Sequence, residues 1–140
     1  MNSISALLKS FLMFSGLFLL FSGFRDKPQY KEYQENMASV EVSLDDIKPG
    51  TISLTQINSL KNLVIRSDGR NYNAKSYEIG IVPYSSPSQF IKWYGNNLPQ
   101  NALLSMKKLQ PGDLIIIVHL VIYGMDKYQM VSDPKWTVSK

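Results

Sequence analysis

Nucleophilic and acid–base chemistry at neutral pH draws most heavily on cysteine and histidine, and this chain has no cysteine and one histidine, His119. Serine and aspartate are plentiful, so residue types alone permit a small Ser-His-Asp hydrolase built on His119. No G-x-S-x-G nucleophile elbow occurs, however. His119 lies inside an apolar run beside Ile117 and Val121, where a structural or rim imidazole with satisfied nitrogens is the simpler reading. One histidine and scattered carboxylates give no metal-ligand spacing. Asp45 and Asp46 are adjacent, so on extended backbone their side chains point apart. Without a D-x-D-x-D-G frame they read as a solvated turn, not a calcium loop. The glycines are isolated and cradle no phosphate. We therefore expect no enzyme and no cofactor, with the His119 hydrolase as the alternative.

Binding chemistry is better represented. Tyr84, Phe90, Trp93 and Tyr94 are clustered aromatics that could face a lipid or a glycan, although such side chains more often pack a hairpin. Farther along, Leu114, Ile116, Val118, Leu120 and Ile122 alternate with Ile115, Ile117, His119, Val121 and Tyr123. Both faces of that strand are apolar, so it is central between two layers or has one face covered by a partner. The candidate partner-binding residues are Leu114, Ile116, Val118, Tyr84, Phe90 and Trp93.

These residues need a scaffold, and hydrophobic periodicity supplies its outline. Val40, Val42 and Leu44 alternate with polar neighbours as a half-buried strand, and Asp45-Asp46 and Pro49-Gly50 mark turns. Ile52 and Leu54 predict a short strand. Ile57, Leu60 and Val64 predict a helix, capped by Ser53 or Thr55 and closed by Ser67-Asp68-Gly69. Tyr77, Ile79 and Ile81 predict a strand, Tyr84 to Ser88 the bend of a long hairpin, and Phe90 to Tyr94 its return. Pro99 suits the first turn of a second helix with Leu103, Met106 and Leu109 on one face, stopped by Pro111-Gly112-Asp113. Two further strands are expected at Tyr128 to Val131 and Trp136 to Val138. The fold class is α+β and β-rich: a mostly antiparallel sheet or small sandwich with two short helices, preceded by an N-terminal hydrophobic helix.

That leading segment sets the expected location. Lys9 precedes an uncharged stretch rich in Phe, Leu and Met, the arrangement of a secretory signal. No A-x-A site follows, and Ile4 to Phe24 matches the roughly 20 apolar residues of a membrane span. Residues 1–24 are thus a signal peptide or a single membrane anchor, 25–38 a polar tether, and 39–140 the domain. The domain is expected in the periplasm, free or anchored to the inner membrane. Net charge is +4, with basic residues scattered rather than clustered, so no nucleic-acid partner is expected.

The run from Gly95 to Val138 resembles the carboxyl-terminal domain of the GldM family of Bacteroidota gliding motility and type IX secretion. The features are Gly95-Asn96, then a short helix with Leu103, Met106 and Leu109, then Gly112-Asp113. A strand with Ile115, Ile117 and Leu120 follows, then Gly124 and Asp126, and Trp136 in the last strand. Gly50-Thr51-Ile52 and the strand from Tyr77 to Ile81 fit the same plan. The resemblance implies an envelope location and a protein-binding task, with envelope proteins as partners. It also implies that Ile115, Ile117 and Leu120 point inward together, which requires a bulge near Val118 and His119. Leu114, Ile116 and Val118 are then left for a partner or a second layer.

Overall fold

A computed structural model describes residues 37–140. The expected signal or anchor at 1–24, the hydrophobic helix within it and nearly all of the tether lie outside the described residues. Among the described residues, no helix is long and apolar enough to cross a membrane.

Strand β1 (Ala38–Leu44) buries Val40, Val42 and Leu44 and turns Ser39 and Glu41 to water, as its alternation requires. It begins with Ala38, the last residue assigned to the tether. At Asp45 the chain enters the left-handed region, with φ of 48°. The Asp45 carboxylate is a tie, where a solvated turn was expected. Its Oδ2 accepts the Lys61 N–H at 2.9 Å, and its Oδ1 accepts the Asn62 N–H at 3.1 Å and Asn62 Nδ2 at 3.2 Å. Asp46 is exposed and meets Arg66 at 3.2 Å.

That tie corrects the first helix. Strand β2 (Gly50–Ser53) ends at a capping box, in which Gln56 N–H donates to Ser53 Oγ and Ser53 N–H donates to Gln56 Oε1. Leu54, expected in the strand, therefore opens helix α1 (Leu54–Ser59). The helix was expected to reach Val64, yet Leu60 is already extended at φ −61°, ψ 140°. Continuing it would commit the Lys61 and Asn62 N–H groups to carbonyls one turn back. Asp45 takes them instead, and Val64 joins strand β3 (Leu63–Ser67). Strand β4 (Arg70–Tyr72) follows through Asp68-Gly69, whose φ values of 48° and 72° are those of a two-residue hairpin turn.

Strand β5 (Ala74–Val82) and strand β6 (Gln89–Trp93) form the expected hairpin. Helix α2 (Gln100–Met106) starts after Pro99, which sits outside the helix as an extended N-cap, and buries Ala102 and Met106. Strand β7 (Leu114–Ile122), strand β8 (Tyr128–Met130) and strand β9 (Lys135–Ser139) complete the domain.

The strands form two sheets, ordered β4-β3-β1-β8 and β2-β9-β7-β5-β6. The α+β, β-rich class with two short helices holds. The pairing is mostly antiparallel, as expected, but each sheet is mixed, because β1–β8 and β2–β9 pair in parallel. Parallel partners require long crossover connections, which turn signals between neighbouring strands do not announce.

The inward faces of both sheets and both helices share one apolar cluster. Trp136 and Tyr77 are its largest fully buried side chains. Each places its polar tip on a carbonyl, Trp136 Nε1 on Ile47 at 3.1 Å and Tyr77 Oη on Asn97 at 3.2 Å. Burial pushes the Tyr77 phenol above its ordinary pKa. Asn96 joins the sheets: its Nδ2 donates to the carbonyls of Leu63 and Tyr72, and its Oδ1 accepts the Ala74 N–H at 2.8 Å.

Candidate functional site: the outer face of the five-stranded sheet

The break in alternation expected near Val118 and His119 is present. Val118 stands opposite Glu78 and Val121 opposite Ser76, so β7 spends three steps where β5 spends two. The surplus is taken up where His119 adopts φ of 50°. A compensating shift on β5 then pairs Ile122 with Ala74. The bulge keeps Leu120 and Ile122 buried in phase with Ile115 and Ile117, and turns His119, Val121 and Tyr123 outward. The Tyr128 hydroxyl donates to the Leu120 carbonyl beside the bulge.

On the outer face, Leu114, Ile116 and Val118 stand opposite Val82, Gly80 and Glu78 of β5. Phe90 and Lys92 of β6 extend the same rows beyond Gly80 and Glu78. Phe90 and Ile116 close over Gly80 so tightly that a Cβ there would lie 2.7 Å from Phe90 Cε1 and 2.6 Å from Ile116 Cγ1. The outcome is an apolar stripe across β6, β5 and β7, in which Leu114, Ile116 and Val118 are half-buried and Phe90 is 52% exposed. No other layer of the described residues buries it, since the core lies on the opposite side of these strands.

Charged groups border the stripe. His119 Nδ1 lies 3.3 Å from Glu78 Oε2, with the imidazole largely in solvent. Lys92 stands opposite Glu78 in register, with its Nζ 6.0 Å from the Tyr94 ring centre. Lys135 of β9 is opposite Ile116. Among the described residues, no serine hydroxyl hydrogen-bonds His119, and no three acidic, histidine or cysteine side chains gather around a metal-sized space.

Four of the six candidate residues are thus brought together: Leu114, Ile116, Val118 and Phe90. Trp93 is not with them, because it pairs with Tyr77 and so faces the inner side of the sheet. Tyr84 lies in the β5–β6 connection with its side chain 97% exposed. Its N–H donates to Oδ1 of the buried Asp113 at 2.8 Å, and Asp113 Oδ2 accepts the Gln110 N–H at 2.7 Å. One carboxylate therefore anchors the hairpin connection to the turn before β7.

Sequence reasoning missed a cleft of about 180 Å³ on the four-stranded sheet. Glu41, Lys48, Asp46 and Arg66 line it, paired as Lys48–Glu41 at 3.9 Å and Arg66–Asp46 at 3.2 Å. Its lining comes from β1, the following loop, β3 and the segment after β8, so no local motif marks it. Its two cations and two carboxylates are paired with one another. Comparison with family models, curated proteins and solved structures finds no match for this chain.

Proposed function

We propose that the chain is an exported, non-enzymatic protein-binding module of the bacterial cell envelope. On this reading residues 1–24 deliver it to the periplasm or anchor it facing that compartment. Its partner is an envelope protein of a gliding or type IX secretion assembly, the setting implied by the resemblance to the GldM carboxyl-terminal domain. The observation that carries the reading is the apolar stripe of Leu114, Ile116, Val118 and Phe90, which the described residues leave uncovered. An apolar centre bordered by Lys92, Glu78, His119 and Lys135 has the composition of a protein–protein patch with a polar rim. A rigid sheet presents it, so little conformational entropy is lost on docking.

The test compares two neighbours on β7 that point to opposite sides. Ile117→Asp places a charge in the core and should unfold the domain. Ile116→Asp should leave it folded and abolish recovery of envelope proteins with a carboxyl-terminally tagged chain from its native host. Equal unfolding by both substitutions, or unchanged recovery with Ile116→Asp, overturns the assignment of this face. Export is tested separately by fusing alkaline phosphatase after Lys140, which is active only outside the cytoplasm.

A further inference from the structure

Among the described residues the sheets end in four edge strands, and β6 differs from the rest. β2 has four residues, and β4 and β8 have three each, whereas β6 has five. Phe90 and Trp93, 52% and 39% exposed, are the only large exposed hydrophobic side chains within those edge strands. A long apolar edge is a template for another strand unless something blunts it. Here Lys92 is the only charge on the strand.

The hydrogen-bond parity of the sheet fixes which groups of β6 the other described strands leave unspent. The Ile117 N–H donates to the Pro134 carbonyl, on the β9 side of β7. Alternation then turns Leu114, Ile116 and Val118 toward β5, where Val82, Gly80 and Glu78 answer them. Ile79 and Ile81 are left to bond β6, through Ile91 and Gln89. Phe90 and Lys92 therefore direct their N–H and C=O groups away from the sheet.

We infer that β6 is the seam of a symmetric homodimer, two copies pairing their β6 strands antiparallel about Ile91 so that the two five-stranded sheets become one. Only registers that match outward groups with outward groups are allowed; of those centred on this strand, the two on its end residues, Gln89 and Trp93, pair the least of it, which leaves three. Centring on Lys92 sets two ammonium groups side by side, which is repulsive. Centring on Phe90 pairs each Lys92 with residue 88, beyond the strand. Centring on Ile91 sets Phe90 of each copy against Lys92 of the other, twice. Those pairs exchange the free backbone hydrogen bonds and place an ammonium beside an aromatic ring, an attractive arrangement. Lys92 already approaches such a ring in Tyr94. On the inner side the same register sets Trp93 against Gln89 of the other copy. Lys92 thus repels a shifted copy and accepts the matched one, and the two apolar stripes meet at the seam. This seam does not depend on the envelope assignment.

Five paired residues bury less than the roughly 1,200 Å² of a tight complex, so a covalent trap is the suitable assay. The chain has no cysteine, so introduced thiols are the only ones. The full-length chain is purified in mild detergent as Phe90→Cys, Lys92→Cys and, as an exposed control, Thr137→Cys. Mild oxidation of mixed Phe90→Cys and Lys92→Cys chains should give a disulfide dimer at least tenfold more abundant than from Lys92→Cys alone or from either mixed with Thr137→Cys. Dominant self-linking of Phe90→Cys overturns the register, and absence of mixed dimer above the control overturns the seam. Lys92→Pro supplies a second readout, because it removes an outward N–H and no bond to β5. It should keep the melting temperature and give at least tenfold less amine cross-linked dimer than Lys92→Gln, which lacks the same amine but keeps the outward N–H. An unchanged yield places the contact elsewhere and overturns the inference.

Discussion

Asn96→Ala is the sharpest test of how the two sheets are held together. The side chain makes three hydrogen bonds, to the carbonyls of Leu63 and Tyr72 and from the N–H of Ala74. Ala74 is fully buried, so its N–H has no water to turn to. Stranding such a donor costs about 1–3 kcal/mol, and the two lost bonds to the carbonyls of Leu63 and Tyr72 cost about 0.5–1.5 kcal/mol each. The sum is about 2–6 kcal/mol, a large share of the roughly 5–15 kcal/mol that stabilises a typical domain. Asn97→Ala is the matched control. Asn97 is exposed, and its recorded contact is a backbone carbonyl that alanine keeps. Urea denaturation followed by tryptophan fluorescence should therefore move the midpoint far down for Asn96→Ala and hardly at all for Asn97→Ala. Equal midpoints would refute the claim that this amide joins the sheets. Asn96→Asp should be worse near neutral pH than in mild acid, since a carboxylate facing two carbonyls has no proton to donate.

Four further outcomes follow from particular contacts. Burial raises the Tyr77 and Tyr128 phenols, so the unfolded chain loses these protons first, and stability present below pH ~10 declines as pH rises beyond it; Tyr77→Phe should flatten that decline in alkaline urea titrations. Gly80→Ala drives a methyl into Ile116 and Phe90 and should cost about 1–3 kcal/mol by thermal melting, with part recovered when Phe90→Ser is added. His119 sits at φ of 50°, so His119→Val should be about 1–2 kcal/mol less stable than His119→Gly, while His119→Gln retains partner recovery. Ser53→Ala removes the capping-box oxygen and should cost about 1 kcal/mol by the same melts.

Elements whose apolar spacing is enforced by one nearby core were legible in the sequence. β1 and β5 follow period-2 patterns because each faces the core on one side and the outer surface on the other. The end of α1 was not legible, because an acceptor at Asp45, distant in sequence, takes the N–H groups that would have continued it. The parallel pairs of β2 and β8 escaped for a related reason, since partners joined by long crossovers leave no turn signature. At the site, Leu114, Ile116 and Val118 share a face, as period-2 spacing dictates. The same spacing separates Phe90 from Trp93: three steps along one strand put two side chains on opposite faces. Grouping those aromatics by proximity in sequence overlooked that parity.

The bulge in β7 shows how a strand apolar on both sides resolves into a core face and an open face. Strict alternation from Ile115 and Ile117 would carry His119 inward and Leu120 outward. Burying Leu120 instead gains about 1.5–3 kcal/mol, and keeping an imidazole out of the core avoids stranding its ring nitrogens. Against this stands the left-handed backbone at His119, which costs about 1–2 kcal/mol. The balance favours the bulge, and Tyr128 strengthens it by satisfying the Leu120 carbonyl. The ejected imidazole then settles beside Glu78, at the row where Lys92 also stands. A defect required by core packing thereby places the polar boundary of the outer apolar stripe and separates Leu114, Ile116 and Val118 from Val121 and Tyr123. On the proposed function, a partner docking on the stripe meets this charged row at one end, which fixes its position along β7.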